Sequence, residues 1–362
     1  MNLNDLSRLQ REWAARMPQM GSNFGSAGSG GDGRLQEVAA FGANPGALRM
    51  LTHVPAGLPP GAPLVVVLHG CTQTAAGYDA GTGWSTLADR HGFALLFPEQ
   101  QRSNNAHGCF NWFEPGDVTR GQGEVASIRS MIAHMTIGHG LDSRRVYVTG
   151  LSAGGAMTGA LLATYPDVFA GGAIIAGLPY GAAANVKEAL TAMSHCRSLP
   201  AQDWGDHVRN ASPAPRRRPT VAIWHGDADT TVTPGNALEC AKQWTNVHGL
   251  READGVEDRV DGMPYRCWRD SSGAMKVELF AVPGLKHGAP IDTHAEGDRG
   301  VGQAMPFILE TNVSSTWRIA RNWGLVTDIP WHAAEEPPAR RPVSVEDILT
   351  QAFRAAGLYG AK

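Results

Sequence analysis

The chain has 362 residues, 43% of them hydrophobic and 18% charged, with a formal net charge of −3 at pH 7. That balance fits a folded protein with one large core and appendages, and it carries no basic stripe of the kind that binds nucleic acid. The sequence has no run of 18 or more apolar residues, so no membrane-spanning helix is expected.

In chain order, residues 1–20 open with an amphipathic pattern. Leu3, Leu6, Leu9 and Trp13 share one face, with Asp5, Arg8 and Glu12 off it. Mixed charges on the polar face predict a helix docked on a protein body rather than a membrane anchor. The pattern of an ordinary signal peptide is not visible here, which makes the cytoplasm the first expectation for location. Residues 21–33 are Gly/Ser-rich and read as a linker.

The body spans residues 34–325. Short apolar runs at Pro63–Leu68, Ala94–Phe97, Arg145–Thr149, Ala173–Ala176, Thr220–Trp224 and Val277–Val282 read as buried strands. Helical patterns lie between them at Gly123–His139, Ala156–Tyr165 and Ala237–His248. Continuous apolar strands alternating with helices predict an α/β fold, a mostly parallel sheet with helices on both faces. One connection, residues 178–219, is long. It holds a helical piece at Asn185–His195 and the segment Pro200–Arg209, and is either a cap over a site or a surface excursion. Near its end, Arg216-Arg217-Arg218 lies between Pro215 and Pro219 and reads as a solvated loop. Residues 326–362 form an extension, with a Pro- and Glu-containing stretch and then a terminal helix. That helix starts at Ser344 with an SVED sequence similar to a capping box.

The chemistry centres on Gly150-Leu151-Ser152-Ala153-Gly154. A strand precedes this segment and a Gly/Ala-rich helix start follows it, the strand–turn–helix setting of a nucleophile elbow. A serine hydroxyl needs a base to take its proton, and in this setting acid and base follow in the order Ser, Asp, His. The segment His225–Val232 follows the strand Thr220–Trp224 and offers two carboxylates. Asp229 is the candidate acid, because it sits further into the loop. Asp227 is the alternative, or a turn residue bonding its own backbone. His287, in the loop after Val277–Val282, is the candidate base, with His294 as rival. The oxyanion of an acyl-transfer intermediate needs N–H donors. Those of Ala153 and of Cys71, in the loop that leaves Leu64–Leu68, are the candidates. Such a set uses no metal and no organic cofactor. The five cysteines contain no CxxC pair, so no zinc site is expected.

Taken together, LHGCTQTA (68–75), CFNWF (109–113), RGQGEVASI (120–128), YVTGLSAGGAM (147–157), WHGDADTTVTP (224–234) and GLKHGAPI (284–291) resemble the polyhydroxybutyrate depolymerase family of esterases. That family is itself similar to feruloyl and acetyl xylan esterases. The resemblance implies an α/β-hydrolase fold with Ser152, Asp229 and His287 as its triad, and esters of 3-hydroxyalkanoate oligomers or polymers as substrate. It places Trp112 beside the substrate, and with it Asn111, His69 and Thr72. It also implies a Cys71–Cys109 disulfide, which leaves Cys240 and Cys267 for a second pair and Cys196 free. Many relatives of this kind are secreted, so an extracellular location is the alternative to the cytoplasm. The alternatives for function are a feruloyl or acetyl xylan esterase and a noncatalytic binding protein on the same fold. The sequence leaves the oligomeric state open.

Overall fold

The computed structural model describes residues 33–212 and 217–326. The N-terminal helix, the linker up to residue 32, Arg216 and the C-terminal extension from residue 327 lie outside the described residues.

The chain enters through β1 (Gln36–Glu37) and β2 (Arg49–His53), then β3 (Leu64–Leu68). The helices α1 (Ala75–Thr82) and α2 (Trp84–His91) lead to β4 (Ala94–Glu99). Next come α3 (Gly123–Gly138), β5 (Val146–Leu151), α4 (Ala153–Thr164) and β6 (Gly171–Ile175). The long connection holds α5 (Val186–His195) and α6 (Ala201–Ala211) and ends in β7 (Thr220–Gly226). After α7 (Gly235–Val247), the strands β8 (Val256–Val260), β9 (Met263–Arg269) and β10 (Met275–Val282) follow. A small second sheet of β11 (Ala289–Ile291) and β12 (Ile308–Glu310) precedes α8 (Ser315–Asn322).

The main sheet has the order β1-β2-β4-β3-β5-β6-β7-β10-β9-β8. Pairings from β4 through to β10 are parallel, and both edges are antiparallel. Side chains alternate across it. Leu64, Val66 and Leu68 of β3 join one core with α3, α4 and α7, while Val65 and Val67 join a second core on the opposite face. Burying each such side chain contributes about 1.5–3 kcal/mol, which is why the central strands read as unbroken apolar runs. Helix α4 is buried along its whole length. It therefore has no polar stripe, and its small residues let it lie close to β5 and β6.

Within the described residues, the strands and helices expected from the sequence form, with ends shifted by a few residues. The edges were missed for a physical reason. β8 (VEDRV) is almost wholly exposed, and β2 and β9 are short or mixed in character. The expected Cys240–Cys267 pair is corrected: both thiols are free and buried. Cys240 of α7 belongs to the first core. Cys267 alternates with Trp268, which packs into that core, and so faces the opposite side of the sheet with Met263 and Tyr265.

The turn after β5 is sterically tight. A Cβ on Gly150 would collide with the carbonyl of Gly154 and lie 2.8 Å from Leu68 Cβ. Gly150→Ala is therefore expected to lower stability by about 1–3 kcal/mol in urea unfolding, the range for overpacking a filled interior.

Candidate active site

Ser152 stands between β5 and α4 with φ 57° and ψ −115°, a region that residues with a side chain rarely enter. Its N–H donates to Ile175 O at 2.9 Å, which anchors the turn to β6. His287 follows the end of β10, which pairs with β7, so the loop carrying His287 and the loop carrying Asp229 leave neighbouring strands. The three side chains meet in a line. His287 Nε2 lies 2.8 Å from Ser152 Oγ, and His287 Nδ1 lies 2.7 Å from Asp229 Oδ2.

Asp229 is enclosed. Its Oδ1 accepts the N–H groups of Thr231 (2.8 Å) and Val232 (2.9 Å). Burial alone would raise its carboxyl, but hydrogen bonds and charge from His225 and His287 hold it well below the usual carboxylate range. It is thus an anion that fixes the His287 ring with Nδ1 protonated and Nε2 free to accept a proton from Ser152. His225 Nε2 contacts Val232 O at 2.8 Å and so ties down the same loop. The competing carboxylate does something else. Asp227 Oδ1 accepts Gly284 N–H at 2.6 Å and links the acid loop to the histidine loop. His294 is exposed beyond β11.

A cleft of about 420 Å³ opens at Ser152. Its lining includes Cys71 and Ala153, the two candidate oxyanion donors. Ala153 begins α4, so its N–H has no acceptor within the helix. Among the described residues, the Cys71 N–H has no protein acceptor either. The Cys71–Cys109 disulfide is present and joins this loop to CFNWF. Trp112 and Asn111 both line the cleft. The Asn111 amide is engaged elsewhere, donating to Asp117 Oδ2 at 3.1 Å and accepting from Asn105 at 2.9 Å. His69 and Thr72 do not line it. His69 is buried, with Nδ1 against Gly70 O at 2.7 Å and Nε2 accepting Gln100 N–H at 3.1 Å, so its ring supports the loop from behind. Thr72 is exposed, and its N–H donates to His107 O at 2.8 Å.

Sequence reading passed over the polar cluster behind the cleft. Gln100 Nε2 donates to Cys109 O at 3.0 Å and to Glu124 Oε1, and Glu124 Oε2 accepts Asn111 N–H at 2.9 Å. Burial, with the charge of Asp117 added, pushes the Glu124 carboxyl up to about 8. The only sequence signal for it was the acidic residue in RGQGEVASI, which an ordinary helix start would also supply. Among the described residues, no group of three or more His, Cys, Asp or Glu side chains is arranged to hold a metal ion. No described helix is long and apolar enough to cross a membrane.

A family model described as "Esterase PHB depolymerase" matches residues 52–263, a span that holds Ser152 and Asp229 and ends before His287. The chain is 47% identical to poly(3-hydroxyalkanoate) depolymerase C of Paucimonas lemoignei, over 81% of this chain and 70% of the relative. It is 39% identical to feruloyl esterase B of Thermothelomyces thermophilus, over 71% of this chain and 89% of that protein. Among solved structures, it superposes on the acetyl xylan esterase of Aspergillus awamori with a TM-score of 0.65 and 28% identity. That match covers 70% of this chain and 94% of the other.

The raised Glu124 carboxyl has a consequence for stability. Below its unfolded value both states hold the proton, and between that value and about 8 only the folded state does. Stability therefore falls as pH rises through this window. Urea unfolding of wild type and Glu124→Gln at pH 5 and pH 8 is expected to show wild type losing ground to the variant at the higher pH. A difference independent of pH would contradict this.

Proposed function

This chain belongs to the esterase PHB depolymerase family, and on that premise we propose that it cleaves 3-hydroxyalkanoate esters through an acyl-enzyme on Ser152. The observation that carries the proposal is the unbroken hydrogen-bond line Ser152–His287–Asp229, whose serine end lines a cleft. It also weighs against a noncatalytic binder on the same fold.

His287 Nε2 takes the Ser152 proton as Oγ attacks the ester carbonyl, and returns it to the departing alcohol. Asp229 stabilises the imidazolium without itself becoming protonated. The N–H groups of Ala153 and Cys71 hold the oxyanion, a contribution of about 10²–10³-fold per donor in such sites. The positive end of α4 adds to it. Water activated by His287 then releases the acid.

The cleft has two characters. Trp112, Leu178, Leu190, Met193 and Val232 are apolar lining residues, while Asn104, Asn105 and Glu114 are polar ones. A chain with a carbonyl in every repeat and a small alkyl branch matches both. We read residues 178–212 as a cap whose helix α5 contributes Leu190 and Met193 to the apolar lining. Two hydrogen bonds support a fixed wall rather than a moving lid. Thr233 N–H donates to Met193 O at 2.8 Å, and Asn236 Nδ2 donates to Ala192 O at 3.0 Å. The Cys71–Cys109 bond supports the extracellular alternative for location over the cytoplasm, since disulfides persist in oxidising compartments. A feruloyl ester is the second reading, favoured by the indole of Trp112 in the cleft wall.

On p-nitrophenyl butyrate, Ser152→Ala and Asp229→Asn are each expected to lower kcat by about 10⁴-fold. Asp227→Asn should stay near wild type. Equal activity of Ser152→Ala and wild type would remove Ser152 as nucleophile. For substrate class, kcat/KM on a 3-hydroxybutyrate trimer is expected to exceed that on methyl ferulate. The reverse order would favour the second reading.

A further inference from the structure

The segment Met305-Pro306-Phe307-Ile308 is a tight turn closed in both directions, with Ile308 N–H donating to Met305 O at 2.9 Å and Met305 N–H to Ile308 O at 3.0 Å. Proline fixes a negative φ at the second position, and Phe307 at the third has φ 66°. That is the pattern of a type II turn, whose third position is ordinarily glycine because it requires positive φ. A phenyl-bearing residue in this place is strained, and strain that persists next to reacting groups points to a use.

The turn is tied to both halves of the site. Phe307 O accepts Ala289 N–H at 2.9 Å, and β12 pairs with β11, so the turn is fixed to the strand that follows His287. Gly288, next to His287, has no room for a Cβ, which would lie 2.8 Å from Phe307 O. On the other flank, Gln73 Nε2 donates to Pro306 O at 3.4 Å, while Gln73 Oε1 accepts Gly70 N–H at 2.8 Å in the oxyanion loop. The half-buried Phe307 ring stands edge-on to the His287 ring, with centroids 6.2 Å apart and planes at 77°. Phe307 is absent from the cleft that holds Trp112 and α5.

From this placement we infer that Phe307 is a specificity-determining residue that forms the wall of the leaving-alcohol subsite, opposite the apolar cleft. The inference rests on the acyl-enzyme reading above. In acylation, Ser152 Oγ bonds to the acyl carbon and the carbon–alkoxide bond breaks. The proton from Ser152 passes through His287 Nε2 to the departing oxygen, so the alcohol departs past the Nε2 edge of the His287 ring against which Phe307 stands. Hydrolysis of the acyl-enzyme involves no alcohol, so Phe307 should not govern that step.

Phe307→Gly and Phe307→Asn suit the test, because both residues tolerate positive φ. The experiment compares p-nitrophenyl, benzyl and methyl butyrate, which share one acyl group. It also measures partition of the acyl-enzyme between water and added benzyl alcohol or methanol. Both variants are expected to lose about fivefold or more in kcat/KM on the aryl and benzyl esters relative to the methyl ester, and to capture less benzyl alcohol but as much methanol. Melting temperatures within about 3 °C of wild type are expected, since relief of strain offsets lost packing. An equal loss on all three esters with unchanged partition would overturn the inference alone. So would altered selectivity seen only with a melting temperature lowered beyond that range in both variants. A wild type inactive on every ester would overturn the acyl-enzyme reading as well.

Discussion

The backbone at Ser152 is the constraint from which the rest of the site follows. A φ of 57° for a residue with a side chain costs roughly 1–2 kcal/mol and persists only where neighbours enforce it. Here they do so from several sides. Glycine at 150 lets β5 and α4 approach, the Ser152 N–H is held by β6, and α4 is sealed in the core. The serine oxygen is thereby lifted off the sheet toward His287, and the first N–H groups of α4 face the same point. The parallel sheet supplies the remainder. β7 and β10 are neighbours and run in the same direction, so Asp229 and His287 follow the same end of adjacent strands.

Two buried carboxyl groups near the cleft show how environment separates roles. Asp229 is buried, but its hydrogen bonds and two neighbouring histidines keep it ionised. Glu124 is as well enclosed, faces the like charge of Asp117 and has no cation beside it, so its carboxyl moves the other way. The first suits a group that must remain an anion through a catalytic cycle. The second suits a group that accepts hydrogen bonds from Gln100 and Asn111 and holds the walls of the cleft.

Much of this was legible in the chain. The central strands are buried on both faces, so they appear as apolar runs, and the elbow requires small residues at fixed positions around Ser152. Order along the chain was enough to bring Asp229 and His287 forward. The edge strands were not legible, because β8 is solvent-facing and its residues are those of a loop. Cysteine pairing was half legible. Cys71 and Cys109 meet because two loops converge on the cleft, whereas Cys240 and Cys267 are separated by the sheet itself, which a list of positions does not reveal. The resemblance put His69 beside the substrate, and only its buried hydrogen bonds show that it faces inward. Phe307 gave no signal, since its importance lies in a backbone angle and in contact with a residue twenty positions away.

The most direct test of the account is the site of covalent attachment by a fluorophosphonate, which traps an activated serine with the geometry of the tetrahedral intermediate. Peptide mass spectrometry of the fully inhibited protein is predicted to find one adduct, on Ser152. Complete inhibition with the adduct on another residue, or an esterase-active protein that takes up no label, would contradict the claim that the Ser152–His287–Asp229 line carries the reaction.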